Sequence, residues 1–149
     1  MKARSVQLVV ASALAGGLVA IAGSASAHHS YAMFDRTKTA TMSGTVRTLQ
    51  WTNPHVYVWV FAADKSGNPT PDVWGFEFGG GPNGLQRSGW SKRTLNVGDK
   101  VTITYNPLRD GRNGGEFQSV VLANGEKWDS RGRIPEGGRK APPGDAAPN

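Results

Sequence analysis

Three histidines occur in 149 residues, and two of them, His28 and His29, directly follow Ala25-Ser26-Ala27. The segment before them carries Lys2 and Arg4, then an apolar run from Val6 to Ala22 diluted by Ser12, Gly16 and Gly17. A basic start, an apolar middle and a small-x-small end describe a secretory leader with its cleavage site. Cleavage after Ala27 makes His28 the first residue of the mature chain. Its α-amine and Nδ1 can then grip a transition metal as one chelate once the amine gives up its proton. A third nitrogen completes a T-shaped set, the histidine brace. His55, behind Asn53-Pro54 at the start of a strand, is the best third donor, and His29 is the other. Nitrogen-rich tetragonal sites suit Cu(II), which also tops the divalent affinity order; zinc on three nitrogens and water is the weaker expectation. Tyr31 and Met33 are close enough in sequence to act as axial ligands or to support the ligands, and Asp35 could accept a histidine N–H. A cut after Ala25 would instead begin the chain Ser26-Ala27-His28, a square-planar Cu(II) terminus with little room for chemistry.

Other polar groups offer less. Glu77 stands between Phe76 and Phe78 and is expected to face solvent or pair with an arginine, with a buried acid of raised pKa as the lesser alternative. The loop Arg109 to Gly115 has the composition of an anion-binding loop but lacks the Gly-x-x-x-x-Gly-Lys-Ser/Thr pattern, so it is read as a long polar hairpin loop. Arg87, Lys92 and Arg93 read as solvated charges. No serine occupies a Gly-x-Ser-x-Gly elbow. The chain has no cysteine, hence neither disulfide nor thiolate site, and its core alone must hold it together. The formal net charge is +6, but Lys2 and Arg4 leave with the leader and the rest is dispersed. That is no nucleic-acid footprint.

These side chains need a frame, and the pattern between Ala40 and Trp128 is β-rich. Thr41 to Trp51 alternates and reads as a strand. His55-Val56-Tyr57-Val58-Trp59-Val60-Phe61 is the strongest strand signal. Period two puts His55, Tyr57, Trp59 and Phe61 on one face and the valines on the other. Val73 to Phe78 pairs with it as a hairpin through the turn at Asp64 to Pro69. Val101 to Tyr105 and Glu116 to Leu122 are the fourth and fifth strands. Leu85 to Thr94 has room for one or two helical turns, weakened by Gly89. Five short strands with a short helix between the third and fourth predict a small closed OB-like barrel, all-β, in which closure removes exposed edges; a β-sandwich is the alternative. The expected organisation is a signal peptide at 1–27, the barrel at 28–128 and a disordered Gly/Pro-rich tail at 129–149.

Several motifs occur together: His28 to Asp35 after the leader, Ser43 to Val46, Trp51-Thr52-Asn53-Pro54-His55-Val56, Leu85-Gln86-Arg87-Ser88-Gly89-Trp90, Val97 to Val101, and Pro107-Leu108-Arg109-Asp110-Gly111. In this order they resemble a family of small exported bacterial proteins of unknown function. The resemblance spans about residues 28 to 128 and implies a periplasmic, barrel-like domain. It brings no active site with it.

The functional expectation is therefore a periplasmic or secreted protein that binds copper through His28, His29 and His55 for metal handling, without a membrane span after cleavage and without nucleic acid. The alternative is a non-catalytic module. Its aromatic face (Trp51, Tyr57, Trp74, Trp90) would hold a small ligand or a periplasmic partner protein. An oxygen-activating copper enzyme ranks third, and no catalytic residue is assigned.

Overall fold

The computed structural model describes residues 31–139, and from Ala32 these form one compact unit. A short 3-10 turn at Tyr31–Met33 precedes strands β1 (Ala40–Gln50), β2 (Tyr57–Ala63) and β3 (Pro69–Glu77). Helix α1 (Pro82–Arg87) follows, then β4 (Lys100–Pro107), β5 (Gly114–Leu122), β6 (Lys127–Asp129) and β7 (Gly132–Ile134). Antiparallel ladders run in the order β3-β2-β1-β4-β5, and a parallel pairing of β3 with β5 closes the ring. Five strands in this cyclic order, with a helix between the third and fourth, make the all-β, OB-like barrel that the strand pattern predicts. No helix among the described residues is long and apolar enough to cross a membrane.

Closure depends on close backbone approach. Gly114 lies opposite Gly75 at the start of the parallel ladder. A Cβ on Gly114 would stand 2.3 Å from the Gly75 carbonyl oxygen, and its φ of 151° lies outside the range comfortable for other residues. The sequence places the fifth strand from Glu116. The observed strand starts two residues earlier because this glycine pair lets β5 reach β3.

The alternation of β2 works as expected. Val56, Val58 and Val60 are fully buried, whereas Tyr57, Trp59 and Phe61 are only partly covered. The valines point into a core shared with Val46, Phe76, Ile103 and Val120. Phe78 and Phe117 stack with ring centroids 4.0 Å apart, and Trp90 meets each edge-on. The helix comes earlier than the sequence suggests. Pro82 opens it, because its fixed φ and missing N–H suit a first turn. Gly89, at φ 89°, ends it while Trp90 N–H donates to the Leu85 carbonyl at 3.0 Å. This ending turns Trp90 into the core beside Leu85. Sheet pairing continues past Trp128: β6 pairs with β5 and β7 with β6, and the Trp90 indole N–H donates to the Asp129 carbonyl at 2.7 Å.

Candidate functional site

The site is built on the outer face of β2 and β3. Tyr57 is the first residue of β2 and stands directly opposite Glu77, the last of β3. Pairing extends one step beyond the named strands, since Phe78 N–H donates to the Val56 carbonyl at 2.9 Å. His55 is thereby carried alongside the same carboxylate. Its Nδ1 is 2.8 Å from Glu77 Oε1 and 3.3 Å from the Phe78 carbonyl oxygen. The Tyr57 hydroxyl donates to Glu77 Oε2. A carbonyl can only accept, and a carboxylate accepts when ionised, so the pair of neighbours places the ring proton on Nδ1. The neutral ring then carries its lone pair on Nε2. Burial, with the Glu77 carboxylate next in effect, raises the Tyr57 pKa far above the usual tyrosine range. Tyr57 is therefore a fixed hydroxyl donor.

Glu77 does not meet solvent or an arginine, as its sequence context suggests. Its side chain is only 9% exposed. The reason is register: Glu77 shares the outer face with Gly75, and the residues opposite that face are Tyr57 and Trp59. The sequence hides this role because two flanking phenylalanines define a local pattern, whereas the partners of Glu77 come from the neighbouring strand.

Beside this trio runs a groove of ≈ 390 Å³. Tyr57 and Trp59 form one wall, Met33, Phe34 and Leu108 another, and Gly75 and Glu77 contribute at its base, with Arg112 and Asn113 also lining it. The second wall is held in place by the segment entering the barrel. Phe34 bridges to Leu108, Asp35 N–H donates to the Pro107 carbonyl at 2.8 Å, and Arg109 N–H donates to the Met33 carbonyl at 2.9 Å. Arg36 grips the buried Glu116 through two hydrogen bonds, one of 2.8 Å from its Nε and one of 2.5 Å from Nη2. Asn106 donates its amide to the Lys38 carbonyl at 2.6 Å.

The remaining expected site residues fall in different places. His28 and His29 lie outside the described residues. Tyr31 begins the 3-10 turn, and Met33 is 40% exposed in the groove wall. Asp35 accepts from the Thr37 hydroxyl at 2.6 Å and pairs with Lys38 at 3.1 Å. These contacts, the Thr37 hydroxyl first, hold its pKa at about 2. The four aromatics expected to share a ligand face are not together. Trp90 is buried in the core; Trp51 and Trp74 pack against that core, Trp74 with its ring 6.0 Å from Tyr105. Of the four, only Tyr57 lines the groove, and its aromatic neighbour there is Trp59. Among the described residues no group of three or more histidine or carboxylate side chains is placed to hold a metal ion.

Residues 14–118 match the family of unknown function DUF6152. The chain belongs to that family. The matched region contains His28, His29, His55, Tyr57, Glu77 and both walls of the groove, and it ends within β5, before β6 and β7. No curated protein and no solved structure matches the chain significantly.

Proposed function

We propose that this is an exported periplasmic domain that binds Cu(II) for metal handling, with His55 as the strand ligand and His28, as the mature N-terminal residue, supplying its amine and ring. The observation that carries the reading is the Glu77 carboxylate on Nδ1 of His55 at 2.8 Å. A metal-binding histidine characteristically gives its other ring N–H to a carboxylate, which fixes the tautomer and makes the ligating nitrogen more basic. Here that nitrogen is Nε2. His29 is the alternative nitrogen donor, and Met33 and Tyr31 are candidate axial or supporting groups. Copper is preferred to zinc because an amine joined to imidazoles is a nitrogen-rich set.

The test is a Cu(II) titration followed by electron paramagnetic resonance on mature protein whose N-terminus is verified by intact mass. One equivalent with nitrogen hyperfine structure is expected, lost in His28→Ala or when an extra residue precedes His28, and altered in His55→Ala. A weak, heterogeneous signal indifferent to His55 would overturn the assignment.

A second reading is favoured by the groove itself. A concave surface with two aromatic rings and a few convergent polar groups is the usual form of a small-ligand site, and OB-like barrels use the β2–β3 face and the loop between β4 and β5 for binding. On this reading the domain is a binding module whose ligand lies against Tyr57 and Trp59.

A further inference from the structure

We infer that the groove is a saccharide site in which the stacked Tyr57 and Trp59 rings form an aromatic platform for a pyranose ring of a neutral saccharide. This rests on the binding-module reading and names its ligand class; it does not depend on copper.

The platform is preformed. Trp59 stands opposite Gly75, and its ring lies face-down on that glycine: three of its ring carbons come within 2.6–3.0 Å of where a Cβ would be. No side chain other than hydrogen would leave the indole flat against the sheet there. The indole N–H donates to Gln50 Oε1 at 3.0 Å, which fixes its rotation. Tyr57 lies nearly parallel to it, at 18° with centroids 5.8 Å apart, and its hydroxyl is anchored on Glu77. Trp59 is thus held flat on the outside of the barrel with Tyr57 stacked against it, each ring tethered by a polar contact, while the core is filled by other residues. Both rings remain only partly covered, and their outward-facing area is apolar surface for a ligand.

The groove's charge selects among ligands with flat faces. A nucleobase chain brings a phosphate per residue and needs cationic partners along its path. Among the described residues the only cationic side chain lining the groove is Arg112, whose Nε is already 2.8 Å from Asp110, and the carboxylate of Glu77 lies in the same lining. An anionic chain is therefore poorly matched. A pyranose offers apolar C–H faces to the rings and a rim of hydroxyls that both donate and accept. The carboxylate of Glu77 and the amide of Asn113 are suited to such hydroxyls. The stacked pair offers one aromatic face, which suits a sugar ring with equatorial hydroxyls.

The experiment is a titration of the metal-free mature protein, in EDTA, with cellotetraose and with chitotetraose, followed by the indole N–H resonances of the five tryptophans in a ¹H–¹⁵N spectrum. A deoxythymidine hexamer is titrated in parallel. Saturable movement of the Trp59 indole resonance by at least one saccharide is expected, and calorimetric titration of Trp59→Ala with that saccharide is expected to show binding weakened about tenfold, as loss of one aromatic contact implies. Trp59→Phe keeps an aromatic ring over Gly75 and is expected to retain most of the binding, which guards against a Trp59→Ala variant that fails to fold. Binding of the hexamer in place of the saccharides, or saccharide binding that leaves Trp59 unmoved, would overturn the saccharide platform while leaving a binding module standing. No response to any of the three probes would overturn both.

Discussion

Tyr57 and Glu77 face each other across the β2–β3 ladder, twenty residues apart in the chain, and the tyrosine hydroxyl is bonded to the carboxylate that also takes the His55 ring. Register alone creates this juxtaposition. A shift of one residue would turn Glu77 to the other face and leave His55 beside an apolar side chain. The hairpin turn at Asp64, whose carboxylate accepts from the Ser66 and Asn68 amides at 2.8 and 2.9 Å, is one device that fixes the register.

Glu77→Gln keeps a hydrogen-bond acceptor near Nδ1 but removes the charge. If His55 ligates copper, Cu(II) affinity should fall roughly 10–100-fold, the usual loss when a carboxylate behind a ligating histidine is removed. A competition titration against a chelator of known affinity measures it. Unchanged affinity in a folded variant would detach Glu77, and with it His55, from the metal.

Tyr57 also makes an alkaline prediction. Its pKa is raised, by burial first and by Glu77 second, and Tyr105 is raised by burial. A tyrosine whose folded pKa lies above its unfolded value adds stability that is fully present below the unfolded pKa of about 10 and is lost as pH climbs beyond it. Ultraviolet titration should show Tyr57 and Tyr105 ionising above the ordinary range, and Tyr57→Phe should remove the later step. A Tyr57 that titrates near 10 in folded protein would refute its hydrogen bond to Glu77.

Asp35 acts at the other end of the pH scale. Its folded pKa of about 2 lies below the ordinary 3.8, chiefly through the Thr37 hydroxyl and then Lys38. A depressed carboxylate contributes stability above its unfolded pKa and loses that contribution as pH falls through the folded one. The window is thus about pH 4 to 2. Asp35→Asn should lower stability at neutral pH, where the ionised carboxylate contributes in full, and flatten the acid limb so that the two proteins converge below about pH 2, as read by urea denaturation at stepped pH.

Much of this architecture is legible in the amino-acid order, because alternation and turn residues are local. The β2 valines announce an inner face, and the breaks at Asn53-Pro54 and Gly79 to Gly81 separate the strands. Five strands with an intervening helix then imply a closed barrel. What is not legible depends on the mate of each strand. Trp90 is expected on the ligand face with Trp51, Tyr57 and Trp74, yet the chain reversal at Gly89 turns it into the core. Trp59 joins an aromatic row in the sequence, but only its pairing with Gly75 shows why it lies flat. Glu77 is hidden for the same reason, since Tyr57 and His55 reach it from another strand. The sequence signal for Glu77 is its phase: it alternates with Gly75 and Val73 on the face opposite to Phe76 and Phe78.

The segment leading into β1 should be a separable contributor to stability. Glu116 has a side chain only 8% exposed, and Arg36 covers it from a position that is itself 52% exposed. Arg36→Ala leaves that carboxylate without its cation and should cost about 1–3 kcal/mol, below the full penalty for a wholly buried pair because water can reach the vacated place. Exchanging both residues in Arg36→Met with Glu116→Gln should recover part of the loss. Equilibrium urea unfolding of the two single variants and the double variant gives the coupling directly. A coupling near zero would mean that the segment is held by its other contacts, among them Phe34 on Leu108, the Asn106 amide on the Lys38 carbonyl and the backbone bonds to Pro107 and Arg109.

Ring closure at Gly114 provides the sharpest structural test. A methyl group there would meet the Gly75 carbonyl at 2.3 Å and would also require φ 151° of a residue with a Cβ. Both penalties fall on the parallel β3–β5 ladder, whose first pair is Gly75 with Gly114. Gly114→Ala should therefore cost more than about 2 kcal/mol, since overpacking alone typically costs about 1–3 kcal/mol and backbone strain adds to it. Gly111→Ala, in the preceding loop with open space around its Cβ position, carries only the positive-φ penalty and should cost about 1 kcal/mol. Amide hydrogen exchange distinguishes the two effects. Loss of protection in Gly114→Ala should concentrate at β3 and β5, whereas Gly111→Ala should leave those amides protected. Equal protection in both variants would show that the ring does not depend on this contact.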